Sequence, residues 1–371
     1  MEIPTGPQAL TTEWLTDALR ERSTISQANV NSFEIKALGD KQGITGQLAR
    51  LILSYDNHEK DAPQSLIAKF PATDAAARNT FRGHYIREVR FYKELASNVK
   101  LRTPRCYYSA LDVQTGDVKT GDAETIEFVL LLQDLAPARS GDWAAGCTLE
   151  QAELAIRQIA EFHATWWDSP DLSKMTWLPQ PSKASFAQSQ ERYKRQWQPF
   201  LKKMTGRFPD ELLAVGERVG EHYISIMQQL QEPPQTVIHN DYQLGNLFLA
   251  VPGSDSPLVV IDWQTIAIGL GAFDVACFLG GNIAPQDRRA REMDLLRLYH
   301  SILADSGVQD YAFDQCFKHY RLCMLRLLIR YVLVVGGDFL TTEQEQMFCN
   351  VIVPRYIAAV LDLNADEILT G

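Results

Sequence analysis

Two aspartates and an asparagine stand at fixed offsets where apolar runs should bury everything near them: Asp241 and Asn246 in "VIHNDYQLGNLFL", residues 237–249, and Asp262 in "VVIDWQ", residues 259–264. A carboxylate and an amide carbonyl are hard oxygen donors that suit Mg²⁺, which keeps several waters and takes its remaining ligands from substrate phosphates. "LFLAV", the turn "PGSDSP" and "LVVID" read as a hairpin. If its arms pair antiparallel, Asn246 and Asp262 reach the same open end, about 5–6 Å apart across the ladder. Asp241 then lies on the loop leading into that end. Asp and Asn ordinarily mark turns and caps, but an Asp ending an apolar strand just after such a loop is a much rarer combination. His239, closing a buried run, reads as a hydrogen-bonded brace for the loop and not as a proton carrier.

The spacing H-N-D-x-x-x-x-N is that of the catalytic loop H-R-D-x-x-x-x-N, in which the Asp accepts the proton of an attacking hydroxyl. Such chemistry needs groups to hold a nucleotide. "SLIAKFP" places Lys69 at the end of an apolar strand, where it either snorkels to the surface or reaches phosphates. Glu88 in "YIREVRFYKELA" favours the second use, since a helix against the sheet could present that acid to Lys69 as an ion pair. Gly39, Gly43 and Gly46 lie between two strands, where backbone amides could approach phosphate oxygens; the spacing is not G-x-G-x-x-G, and a plain turn fits it nearly as well.

The elements that must position these residues divide the chain. Its 371 residues, 46% of them hydrophobic, exceed one ordinary core, so two units are expected. After an N-terminal helix at "TTEWLTDALRE", five strands ("FEIKAL", "QLARLILSY", "QSLIAKF", "CYYSAL", "EFVLLLQ") surround one helical stretch at "GHYIREVRFYKELAS". Beyond "QDLAPARSGDW" come long helices at "LEQAELAIRQIAEFHATWW", "FPDELLAVGERVGEHYISIMQQL", "PQDRRAREMDLLRLYHSILADS" and from residue 310 onward, with the hairpin as their only strand material. The expected domains are 1–133 and 134–371. A net charge of −10 argues against nucleic acid and anionic lipid as partners and for small-molecule chemistry. The six cysteines show no metal-ligand or disulfide spacing. "LCMLRLLIRYVLVVGG" carries Arg326 and Arg330 and reads as a core helix, not a membrane span. "MEIPTGPQAL" lacks the basic and apolar regions of a leader, so a cytoplasmic enzyme is expected.

Through "WLTDALR", "SLIAKFP", "REVRFYKELA", "HNDYQLGNLFL" and "VIDWQTIAIGLGAFDVACFLGG" the chain resembles the aminoglycoside phosphotransferase and choline kinase-like superfamily, most closely its ecdysteroid kinase-like bacterial members. The resemblance implies an α+β, protein-kinase-like fold of two lobes: a five-stranded antiparallel sheet with a helix, and a mainly helical lobe with the catalytic hairpin. It implies ATP bound between the lobes against the "LLLQDL" connector, at Gln133 and Leu135, with Mg²⁺ held by Asn246 and Asp262. Asp241 becomes the catalytic base, Lys69 and Glu88 position the phosphates, Gly43 and Gly46 approach them, and Asp274 braces the catalytic loop. The acceptor would be a hydroxyl of a small, fairly apolar metabolite; an aminoglycoside or choline-type cation, and a nucleotide-binding protein without catalysis, are the alternatives. Asn240 stands where the superfamily usually has glycine, and Trp263-Gln264 follow Asp262 where protein kinases have Phe-Gly.

Overall fold

A computed structural model describes residues 1–38, 46–114, 125–180, 182–249, 257–337 and 340–369. The chain divides into two compact units. Met1–Ala138 with Val259–Thr265 forms the first, and most of the remainder forms the second. The sequence reading put the change after residue 133 and left 259–265 with the second half. By contacts the change falls after Ala138, and the segment carrying Asp262 is counted with the sheet.

In the first unit, Thr11 caps α1 (Thr12–Glu21) by accepting from the Trp14 amide. Five strands follow: β1 (Val30–Ala37), β2 (Gly46–Tyr55), β3 (Ser65–Pro71), β4 (Cys106–Gln114) and β5 (Thr125–Gln133). They form one antiparallel sheet in the order β1-β2-β3-β5-β4, so β3 is central. Alternation along β3 sends Leu66, Ala68 and Phe70 into a core shared with Leu15, Ala18 and Leu19 of α1, and leaves Lys69 on the opposite face. Between β3 and β4 run α2 (Ala75–Thr80), capped by Asp74, and α3 (Arg82–Arg90), which continues through a π-helical turn at Phe91–Leu95. Tyr85 of α3 lies against Phe128 of β5, with ring centroids 4.8 Å apart, which seats α3 on the Lys69 face.

The second unit is mostly helical. It contains α4 (Leu149–Trp166), α5 (Lys183–Lys203), α6 (Glu211–Glu221) and α7 (Tyr223–Gln229), then short strands β6 (Thr236–Ile238), β7 (Leu247–Leu249), β8 (Leu258–Val260) and β9 (Ala267–Gly269). Among the described residues, α8 (Ala272–Asn282), α9 (Pro285–Asp305), α10 (Phe313–Val335), α11 (Thr342–Met347) and α12 (Val353–Asp362) follow. β7 pairs with β8, the expected hairpin; β6 pairs antiparallel with β9, strand material the sequence reading missed. Buried α10 contains the "LCMLRLLIRYVLVV" run, and among the described residues no helix is long and apolar enough to cross a membrane.

Candidate active site

Two constellations collect the residues singled out by the sequence, one in each unit. In the first, Lys69 lies opposite Leu48 and Leu130 in the sheet, and its ammonium meets the Glu88 carboxylate at 2.5 Å and Asp262 Oδ1 at 3.5 Å. Glu88 is buried, with the Lys69 ammonium against it. Burial pushes the Lys69 ammonium down, but the two carboxylates outweigh it and hold its pKa above the usual lysine value. Lys69 is therefore a fixed cation.

Asp262 has a left-handed backbone (φ 65°), which turns the chain sharply where β8 ends. Its other carboxylate oxygen accepts from Gln264 Nε2 at 2.9 Å, and the Gln264 carbonyl accepts from Arg87 Nε at 2.8 Å. Trp263, fully buried, stacks on Phe91 with centroids 3.9 Å apart and planes within 8°. The Trp-Gln pair that replaces Phe-Gly thus anchors Asp262 through one ring and one amide. His84, also near Asp262, is pushed down to about 4 by burial and by the Arg87 charge, so it is neutral at physiological pH.

Of the nucleotide contacts expected elsewhere in this unit, Gly46, Gln133 and Leu135 have definite places. Gly43 and Gly39 lie outside the described residues. Gly46 pairs with Pro71, and a Cβ there would meet the Phe70 carbonyl at 2.5 Å, so close strand approach by itself requires glycine. The Gln133 amide donates to the Arg105 carbonyl and its side chain accepts from the Arg105 amide, at 2.8 and 3.3 Å. Leu135 is buried, and its carbonyl accepts from Ala138 N at 3.0 Å. Asp134 between them holds Arg50 Nε at 2.7 Å and Ser65 Oγ at 2.9 Å, tying the connector to β2 and β3.

In the second unit the loop after β6 carries His239, Asn240 and Asp241. Fully buried Asp274, in the first turn of α8, accepts from the amides of His239 (2.7 Å) and Asn240 (2.8 Å) and contacts His163 Nε2 at 3.1 Å. His163 Nδ1 in turn meets the Tyr299 hydroxyl at 3.0 Å. One carboxylate thus fixes two consecutive loop amides, which is the bracing role the resemblance implied. His239 is fully buried, and its Nδ1 lies 3.3 Å from the Asp241 amide. Asn240 takes φ 65°, a conformation glycine enters freely and asparagine better than most residues. Its substitution for glycine is therefore conformationally compatible, and it adds a side-chain oxygen that accepts from Arg330 (2.9 Å) and Arg326 (3.3 Å).

Asn246 is buried, and its Nδ2 donates to both the Asp241 carbonyl (2.9 Å) and Asp241 Oδ2 (3.0 Å). The amide is thereby oriented with its oxygen, the atom a hard cation would take, outside both bonds. The other Asp241 oxygen faces Arg330 Nη1 at 3.7 Å. Arg326 and Arg330 are the residues that sequence reasoning missed. It treated them only as obstacles to a membrane span, although two arginines four residues apart in an apolar helix already required buried polar partners.

The central Lys69 strand, the α3 glutamate and the braced Asp241 loop define the class, a protein-kinase-like α+β fold. Within it, the chain belongs to the ecdysteroid kinase-like family, which it matches over residues 41–309. Among solved structures, a protein from Ralstonia eutropha named as an aminoglycoside phosphotransferase has a TM-score of 0.55 and 15% identity, covering 96% of this chain and 98% of that one. An amicoumacin kinase bound to AMP-PNP and Ca²⁺ has a TM-score of 0.47 and 14% identity, covering 88% of each chain. A microcompartment-associated aminopropanol kinase has 0.41 and 14%, covering 96% of this chain and 97% of that one. No curated protein matches the chain.

Proposed function

We propose that the protein is an ATP-dependent small-molecule kinase of the cytoplasm, moving the γ-phosphoryl group to a hydroxyl of a small, fairly apolar acceptor. The observation that carries this reading is the buried Lys69–Glu88 pair at 2.5 Å with Asp262 beside it. A lysine held cationic by one buried acid, and turned toward a second, suits triphosphate oxygens, which a surface lysine does not need so much structure to meet. Lys69 binds and orients the phosphates, Glu88 keeps it in place, and Gln133 and Leu135 lie along the base. Asp262 and Asn246 offer a carboxylate and an amide oxygen, a donor set that fits Mg²⁺. Held there, the ion would neutralise phosphate charge.

Asp241 is the only unassigned acid on the loop, and Asn246 and Arg330 fix both of its oxygens. It accepts the acceptor's hydroxyl proton as the new P–O bond forms. Incubating the protein with Mg·ATP and a mixed panel of alcohols, sterols, sugars and amino alcohols tests this by mass spectrometry. The expected result is at least one acceptor gaining a phosphoryl group in step with ADP formation. ADP formation matched only by free phosphate, across the whole panel, would count against a kinase.

A further inference from the structure

Beside the Asp241 loop the second unit contains a pocket of about 370 Å³, within the range of small-molecule sites, lined by Met227, Leu230, Ile238, Ile268, Phe273 and Arg326 among others. Its remaining polar side chains are glutamine amides, and among the described residues no Asp or Glu lines it. Ile238 immediately precedes His239, and Arg326, bonded to Asn240 at 3.3 Å, connects the pocket wall to the residue next to Asp241.

The informative residue is Arg326. Its guanidinium lies 3.9 Å from the centroid of the Phe273 ring, and among the described residues no carboxylate comes within ion-pairing distance of it. Arg330, one turn along α10, faces Asp241; the direct contacts of Arg326 among the described residues are a neutral amide oxygen and an aromatic face. Burial first, and then the Arg330 charge, push its pKa down to about 10 although Asp274 offsets part of the shift, so it stays charged at neutral pH with no carboxylate bonded to it among the described residues. A desolvated cation on the wall of an otherwise apolar pocket is complementary to an anion carried by an apolar body, since a guanidinium takes a carboxylate through two parallel hydrogen bonds.

We propose that this pocket is the acceptor subsite and that Arg326 selects an apolar hydroxy acid whose hydroxyl lies close to its carboxylate: the carboxylate on the guanidinium, the hydroxyl toward Asp241, and the apolar chain along Met227, Leu230 and Ile268. The proposal rests on the kinase reading. The acceptor's hydroxyl oxygen forms the new P–O bond, its proton passes to Asp241, and ADP leaves with the bridging oxygen and its electron pair. A polycation entering the pocket would meet Arg326 and no acid, so the geometry disfavours an aminoglycoside there.

Three probes of one chain length, 3-hydroxydecanoate, decane-1,3-diol and 1-aminodecan-3-ol, would be titrated calorimetrically into the full chain without nucleotide, and then offered as acceptors with Mg·ATP. The acid should bind about tenfold or more tightly than the diol, with the amine weakest. Arg326→Gln should bring acid and diol to equal affinity, and Gln231→Glu, which adds a charge to the pocket without touching Arg326, should shift preference toward the amine. Equal binding of acid and diol to the unmodified protein, no binding by any of the three, or an acid preference that survives in Arg326→Gln would overturn the proposal. Failure of the kinase reading shows separately, as an acid preference in the calorimeter with no phosphoryl transfer to any probe.

Discussion

Lys69, Glu88 and Asp262 illustrate how much one side chain depends on its neighbours. Lys69 keeps its proton because two carboxylates face it, Glu88 can remain ionised in the core because Lys69 is 2.5 Å away, and Asp262 is turned toward the pair by its left-handed backbone. Removing either member of the pair takes away the contact that positions the other, so the two substitutions should not add. We expect Lys69→Ala and Glu88→Ala each to weaken productive use of Mg·ATP, with the double variant losing less than their sum by about 0.5–3 kcal/mol in kcat/KM terms. A cycle that closes additively would show that the two do not act as a unit. This pair was legible in the sequence because a lone lysine ending an apolar strand and an acid on the next helix form a recognisable order. The arginines of α10 were not legible as site residues, since the loop atoms they reach lie some ninety positions away in the chain.

At the scale of elements, the loop bearing Asp241 is held by α8 through a single buried carboxylate. Asp274→Ala would leave the His239 and Asn240 amides and His163 without their acceptor, and we expect a loss of about 3–5 kcal/mol in urea unfolding. Asp274→Asn, which keeps one acceptor oxygen, should lose less; equal losses would indicate that the hydrogen bonds are not what stabilises the loop. The five sheet strands were readable from alternation and turn residues, and α4 from its period and its Thr148–Gln151 capping box. Helix α2, six residues with none buried, is too short to show a period, and two longer helices were missed for opposite reasons. α5 is polar over most of its 21 residues and buries only Phe186, Tyr193, Trp197 and Phe200, so it offers a thin stripe. α8 is buried at all 11 positions and has no polar face to reveal a helical period. β6 and β9, three residues each, are too short for any pattern.

For the whole molecule, the proposed chemistry draws on both units: Lys69, Glu88 and Asp262 belong to the first, Asp241 and Asn246 to the second. A ligand that binds only the native chain should stabilise it by linkage, about 2.7 kcal/mol at a hundred times its Kd. Mg·ATP should therefore raise the melting temperature more than Mg²⁺ or ATP alone, and Asp262→Ala should abolish that synergy. Synergy unchanged in the variant would remove Asp262 from the metal site. The order of glycine turn, lysine, glutamate, connector and loop carried the architecture in the sequence, whereas the sharing of residues between units did not follow from order, because Val259–Thr265 joins the sheet only once the chain is folded. The claim on which the account depends is that Asp241 accepts the acceptor's proton in a chain that otherwise binds nucleotide normally. Its direct test is single-turnover phosphoryl transfer by Asp241→Asn, measured beside Mg·ATP affinity. Transfer should fall by about 10²–10⁴ with affinity unchanged; undiminished transfer, or nucleotide binding lost from a folded variant, would contradict it.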